Sequence, residues 1–125
     1  MMNINIKSTH FEMTPDIESH ITEKMHAIER FLQAVENEEI LVEVEVEKST
    51  HQQTGEVYRS EANLTFKGRF FRAESKNSDV RSSIDSVQAL LEKQIRRSKS
   101  KRFELVQKGA RAIKKMLRKK TNDTI

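Results

Sequence analysis

Residues 40–47 read Ile-Leu-Val-Glu-Val-Glu-Val-Glu, and this alternation constrains the chain more than any other stretch. Successive side chains of a β-strand point to opposite faces. Val42, Val44 and Val46 therefore share one face, and Glu43, Glu45 and Glu47 share the other. The strand has one dry face and one wet face, so a covering layer belongs on the dry side.

The rest of the chain supplies that layer. Thr14-Pro15-Asp16 opens a helix: threonine caps, proline fits the first turn, and aspartate suits the helix dipole. Ile17, Ile21, Met25, Ile28 and Leu32 follow at steps of three or four, with Phe31 and Val35 beside them. A second stripe, Val80, Ile84, Val87, Leu91 and Ile95, predicts a helix over 79–102 that starts at Asp79 and ends almost wholly basic. Asn3 to Lys7 alternates as a short first strand, and Glu36 to Glu39 breaks the apolar pattern before the valine strand. Tyr58, Ser60, Ala62, Leu64 and Phe66 alternate with polar residues as a third strand. Lys67-Gly68-Arg69 is short enough for a hairpin turn, and Phe70 to Ser75 makes a fourth strand with Phe71 and Ala73 facing inward. The order β-α-β-β-β-α predicts an α+β two-layer sandwich: a four-stranded, mainly antiparallel sheet with both helices on one face.

With 125 residues, 35% hydrophobic and 34% charged, one domain with a modest core is expected. The absence of cysteine removes disulfides and thiolate metal sites. The first residues lack an apolar signal region and no run approaches membrane-spanning length, so a soluble, cytoplasmic protein is expected. The net charge of +4 conceals a split. Residues 1–95 hold 11 Lys+Arg against 17 Asp+Glu, a net of −6, whereas residues 96–125 hold 12 against 2, a net of +10. Such asymmetry points to a polyanionic partner, nucleic acid or an acidic membrane surface; the plain alternative is a solubilising tail. Phe103, Val106, Ala110, Ile113 and Leu117 recur at helical steps among lysines and arginines. The domain boundary is placed at about 102, and 103–125 is read as a basic extension, helical or disordered.

No catalytic constellation is visible, and no cofactor or metal is expected. His20 and His26 are too far apart to share the helix face a metal pair needs, and the four histidines read as ordinary surface or half-buried residues. Glu43, Glu45 and Glu47 read as a solvated strand face rather than acid–base machinery. The basic cluster is different because it continues a packed helix. Lys93, Arg96, Arg97, Lys99, Lys101 and Arg102 suit a phosphate backbone by charge and geometry. Lys24 and Arg30 on the first helix and Arg72 on the fourth strand extend the candidate RNA-binding footprint, with pairing to glutamates as the competing role, above all for Arg30 and Arg72. Phe70 alternates away from Phe71, towards the open face; core or edge packing is its ordinary role, stacking on a base its functional one.

In order along the chain, Met-Asn-Ile near the start, Thr14-Pro15, Ile28-Glu29-Arg30-Phe31, Arg72-Ala73-Glu74, Asp79, Ile84-Asp85 and Leu91-Glu92-Lys93-Gln94-Ile95 form a series. Over residues 1–102 this series resembles the ribosome hibernation promoting factors, also called protein Y or the ribosome-associated translation inhibitor family. The resemblance implies binding to the small ribosomal subunit and its rRNA, in the channel for messenger and transfer RNA, during stress or stationary phase. It implies that Lys93, Arg96, Arg97, Lys99 and Lys101 face ribosomal RNA. Two features depart from the pattern. Many members have a tyrosine where this chain has Arg81, and the basic segment after Arg102 is neither a separate dimerisation domain nor an acidic tail. Promotion or blocking of ribosome pairing is therefore left open. The leading reading is a non-catalytic translation inhibitor, monomeric when free. Its rivals are a double-stranded-RNA-binding module and a membrane- or partner-anchored interaction protein.

Overall fold

The computed structural model describes residues 1–32, 38–51 and 54–99. The elements are β1 (Met2–Thr9), α1 (Pro15–Leu32), β2 (Ile40–Lys48), β3 (Tyr58–Phe66), β4 (Arg69–Asn77) and a second helix, α2, over residues 80–99. The strands form one sheet in the order β1-β2-β3-β4. β1 runs parallel to β2 through the α1 crossover, and β2, β3 and β4 form an antiparallel meander. This is the expected α+β sandwich. Both outer strands are longer than the alternation alone predicts, β1 by Met2, Ser8 and Thr9 and β4 by Arg69, Lys76 and Asn77. Backbone pairing carries a strand past the residues whose side chains advertise it.

The register puts the apolar sets in line. Ile4 and Ile6 lie opposite Val42 and Val44, which lie opposite Leu64 and Ala62, which in turn lie opposite Phe71 and Ala73. Ile17, Ile21, Met25, Ile28 and Leu32 of α1 are all buried, as are Ile84, Val87 and Leu91 of α2. Each such side chain contributes roughly 1.5–3 kcal/mol on burial, which outweighs the marginal stability of an isolated helix of this length. Thr14 caps α1: its Oγ1 accepts the Ile17 N–H at 3.3 Å and its carbonyl accepts the Glu18 N–H at 3.0 Å. Asp79 caps α2, its Oδ2 accepting the Ser82 N–H at 3.1 Å and its carbonyl accepting the Ser83 N–H at 3.1 Å.

The β3–β4 hairpin closes through Lys67 and Gly68 alone, both at positive φ (51° and 72°), the geometry whose twist matches that of paired strands. Val35, Lys101, Arg102 and the extension over 103–125, all assigned roles from sequence, lie outside the described residues.

The chain divides into two compact units, Met1–Gln94 and Ile95–Ile125. Of the second, the described part is the helical segment 95–99, with Ile95 buried and Arg96, Arg97 and Lys99 exposed.

Candidate nucleic-acid interface

Lys93 belongs to the first unit and is exposed on α2, two residues after the buried Leu91. Leu91 turns the opposite side of the helix inward, so packing fixes which way Lys93 points. A second interaction braces the same turn. Gln94 lies against the sheet edge, its Oε1 accepting the Arg72 N–H at 3.3 Å and its amide donating to the Arg72 carbonyl. The outward backbone groups of an edge strand are thereby satisfied by a helix side chain. Sequence periodicity carries no sign of this contact.

In the second unit, Arg96, Arg97 and Lys99 are exposed on the helical segment. The three described cations of this segment carry no acid among them in sequence.

Two of the outlying candidates sit in different surroundings. Lys24, on α1, has its Nζ 3.8 Å from Asp85 Oδ1. The same Asp85 oxygen lies 2.7 Å from His20 Nε2, so Asp85 of α2 gathers both α1 side chains. Lys24 is half-buried, and its charge is met within the fold. Arg72 is on the wet face of the sheet, with Nε 3.0 Å from Glu61 Oε1 and an amino group 3.9 Å from Glu74 Oε2. The competing role, pairing with glutamates, is what the structure shows for Arg72.

The wet face around Arg72 is a carboxylate-rich lattice centred on Arg59. That guanidinium reaches Glu74 at 2.8 Å, Glu45 and Glu47 at 3.3 Å each, and Glu61. Burial alone would push the Glu61 carboxyl up, but the hydrogen bond from Asn63 and the charges of Arg59 and Arg72 outweigh it and hold Glu61 below the usual glutamate range. The hydrogen bond to Glu74 leads the causes that raise Arg59. Phe70 stands on this face 64% exposed, whereas its neighbour Phe71 is buried. Core packing of Phe70 is thus overturned: the strand alternation that buries Phe71 and Ala73 sends Phe70 and Arg72 outward.

Among the described residues no group of three or more His, Cys, Asp or Glu side chains is arranged to hold a metal ion. No described helix is long and apolar enough to cross a membrane. Chemically, the arrangement offers exposed positive charge on a helix and, on a sheet face, carboxylates that outnumber the cations paired with them.

A family profile described as Sigma 54 modulation protein / S30EA ribosomal protein matches residues 4–102. Two curated relatives, both the Ribosome hibernation promoting factor of Pseudomonas putida, are 25% identical over 109 residues, covering 87% of this chain and 98% of their own length. Among solved structures, the N-terminal domain of Thermus thermophilus Protein Y is similar with a TM-score of 0.62 and 22% identity, over 76% of this chain and 97% of that one. A ribosomal subunit interface protein from Coxiella burnetii is similar with a TM-score of 0.63 and 18% identity, over 80% of this chain and 99% of that one. At these identities the structural likeness speaks for the fold.

Proposed function

The chain belongs to the Sigma 54 modulation protein / S30EA ribosomal protein family, and from that premise we propose that it is a ribosome-binding translation inhibitor. It acts without catalysis, by occupying the messenger and transfer RNA channel of the small ribosomal subunit during stress or stationary phase. The observations that carry this reading are the exposed Lys93, which the packing of Leu91 turns outward, and, in the second unit, the exposed Arg96, Arg97 and Lys99 on a helical segment. Multivalent contact with phosphate needs cations held on a rigid element more than it needs any one base-reading group. Two further features support it: the relatives are named as hibernation promoting factors, and the matched region runs to residue 102, through the basic stretch. Lys101 and Arg102 complete the proposed RNA-binding set. Lys24 and Arg72 contribute less, because Asp85 and Glu61 already meet their charges.

The test is charge reversal. Arg96→Glu, Arg97→Glu and Lys99→Glu together should abolish co-sedimentation with small subunits, while the circular dichroism spectrum and unfolding midpoint stay near those of the parent. Undiminished co-sedimentation would sink the proposal. Adding bare duplex RNA as competitor distinguishes a general double-stranded-RNA-binding module, which duplex would displace as readily as added subunits do.

A further inference from the structure

The wet face of the sheet is not uniform. At one end Leu41, Thr65 and Phe70 occupy a single cross-strand row, Leu41 opposite Thr65 and Thr65 opposite Phe70. Leu41 is 46% exposed and Phe70 64% exposed. Strands lie about 4.8 Å apart, so the two apolar side chains stand about 10 Å from each other with a threonine between them. A single exposed leucine is ordinary. A leucine and a phenylalanine aligned on one open sheet row form the kind of aromatic-anchored patch on which protein interfaces are centred.

Charge decides what such a patch can receive. Extending along the face from this row are the carboxylates of Glu39, Glu43, Glu45, Glu47, Glu61 and Glu74, against the cations Lys7, Arg59, Arg72 and Lys76, so carboxylates outnumber cations by two. Three of these cations already lie near carboxylates: Lys7 is 4.0 Å from Glu45, Arg59 is 2.8 Å from Glu74, and Arg72 is 3.0 Å from Glu61. A phosphate chain laid over Phe70 would run across surplus negative charge, which disfavours stacking of an RNA base there despite the exposed ring. A lysine- and arginine-rich polypeptide meets the opposite sign, and an apolar side chain within it would fill the space between Leu41 and Phe70.

We propose that the Leu41–Thr65–Phe70 row, with its carboxylate border, docks a basic protein segment bearing an apolar anchor, presented by a protein of the small subunit. This inference rests on the ribosome-binding reading above. The molecule thereby uses two surfaces of opposite charge, a basic helix for RNA and an acidic, apolar-tipped sheet for protein.

The experiment compares the full-length chain with Leu41→Ser/Phe70→Ser on two probes, intact small ribosomal subunits and the protein-free rRNA extracted from them. The double variant should bind intact subunits at least about ten-fold more weakly, the loss of one to two kcal/mol expected for a buried apolar anchor, and bind bare rRNA as the parent does. Because both side chains are exposed, the fold should survive; Glu43→Lys provides an independent variant that should weaken subunit binding while strengthening rRNA binding. Equal loss on both probes would show the face contacts RNA and would overturn the proposal, as would undiminished binding to intact subunits. If the parent chain itself fails to bind subunits, the proposed function falls and this inference with it. If the parent binds and the variants bind equally well, this inference alone falls.

Discussion

Ser60 Oγ and Ser83 Oγ meet 2.7 Å apart between β3 and α2, and neither residue is accessible to solvent. Ser83 Oγ donates to the Val80 carbonyl at 2.6 Å, so in the Ser60–Ser83 pair it is the acceptor and Ser60 the donor. This direction makes the two serines unequal. Ser60→Ala removes a donor and leaves Ser83 bonded to its own helix. Ser83→Ala strips Ser60 of its acceptor inside the core, which costs about 1–3 kcal/mol. Urea denaturation should therefore show Ser83→Ala the more destabilising, with the double variant recovering part of the loss. Additive effects with equal single losses would contradict this pairing. None of it is readable from sequence. Alternation places Ser60 on the inner face, but its partner lies 23 residues away. The helical stripe likewise counts Val80, which is half-buried, and passes over the fully buried Ser83. The same blindness applies to Lys24, whose neutralising Asp85 reaches α1 from the far helix. A side chain's partner is a tertiary fact, whereas its face is a local one.

The elements are far more legible, because period two and period 3.6 are properties of short windows. The valine–glutamate alternation of β2 identifies correctly which face is dry, with Val42, Val44 and Val46 buried and Glu43 exposed. What alternation leaves open is how the wet face tolerates so many carboxylates. The register answers this by placing Glu45 opposite Glu61 and Glu61 opposite Glu74, a like-charge row that Arg59 and Arg72 compensate. Like charges directly opposite on a sheet destabilise it unless such cations intervene. Glu61 carries a pH signature. Its carboxyl is held below the usual glutamate range in the folded chain, so the unfolded chain takes up the proton first. Its stabilising contribution is thus present above the unfolded value of about 4.3 and is lost as pH falls through the folded value. Glu61→Gln should be less stable than the parent at pH 7, and the gap in urea midpoint should narrow as pH is lowered below about 4.3. A gap that stays constant or widens on acidification would show that the lattice does not stabilise the ionised form.

At the scale of the whole molecule the decisive quantity is the separation of charge, −6 over residues 1–95 and +10 over residues 96–125. The sign split points to a polyanionic partner, with a solubilising tail as the plain alternative, and Lys93, Arg96, Arg97 and Lys99 are each exposed. Binding driven by such cations has a consequence that a shape-driven fit lacks. Each neutralised phosphate releases counterions, with a slope of log K against log salt of about −0.7 per contact on single-stranded RNA and about −0.9 on duplex. Four contacts therefore predict a slope of about −3 or steeper for the full chain on small subunits. Replacing Lys93 and Arg97 with alanine removes two of the four and should flatten the slope by about 1.5, while replacing Leu41 and Phe70 should lower affinity with the slope unchanged. Filter-binding titrations across a range of potassium concentrations would measure all three slopes. A parent slope near zero would remove phosphate contact as the basis of binding. A slope altered by the Leu41 and Phe70 changes would place phosphates on the sheet, where the carboxylates of Glu43, Glu61 and Glu74 oppose them.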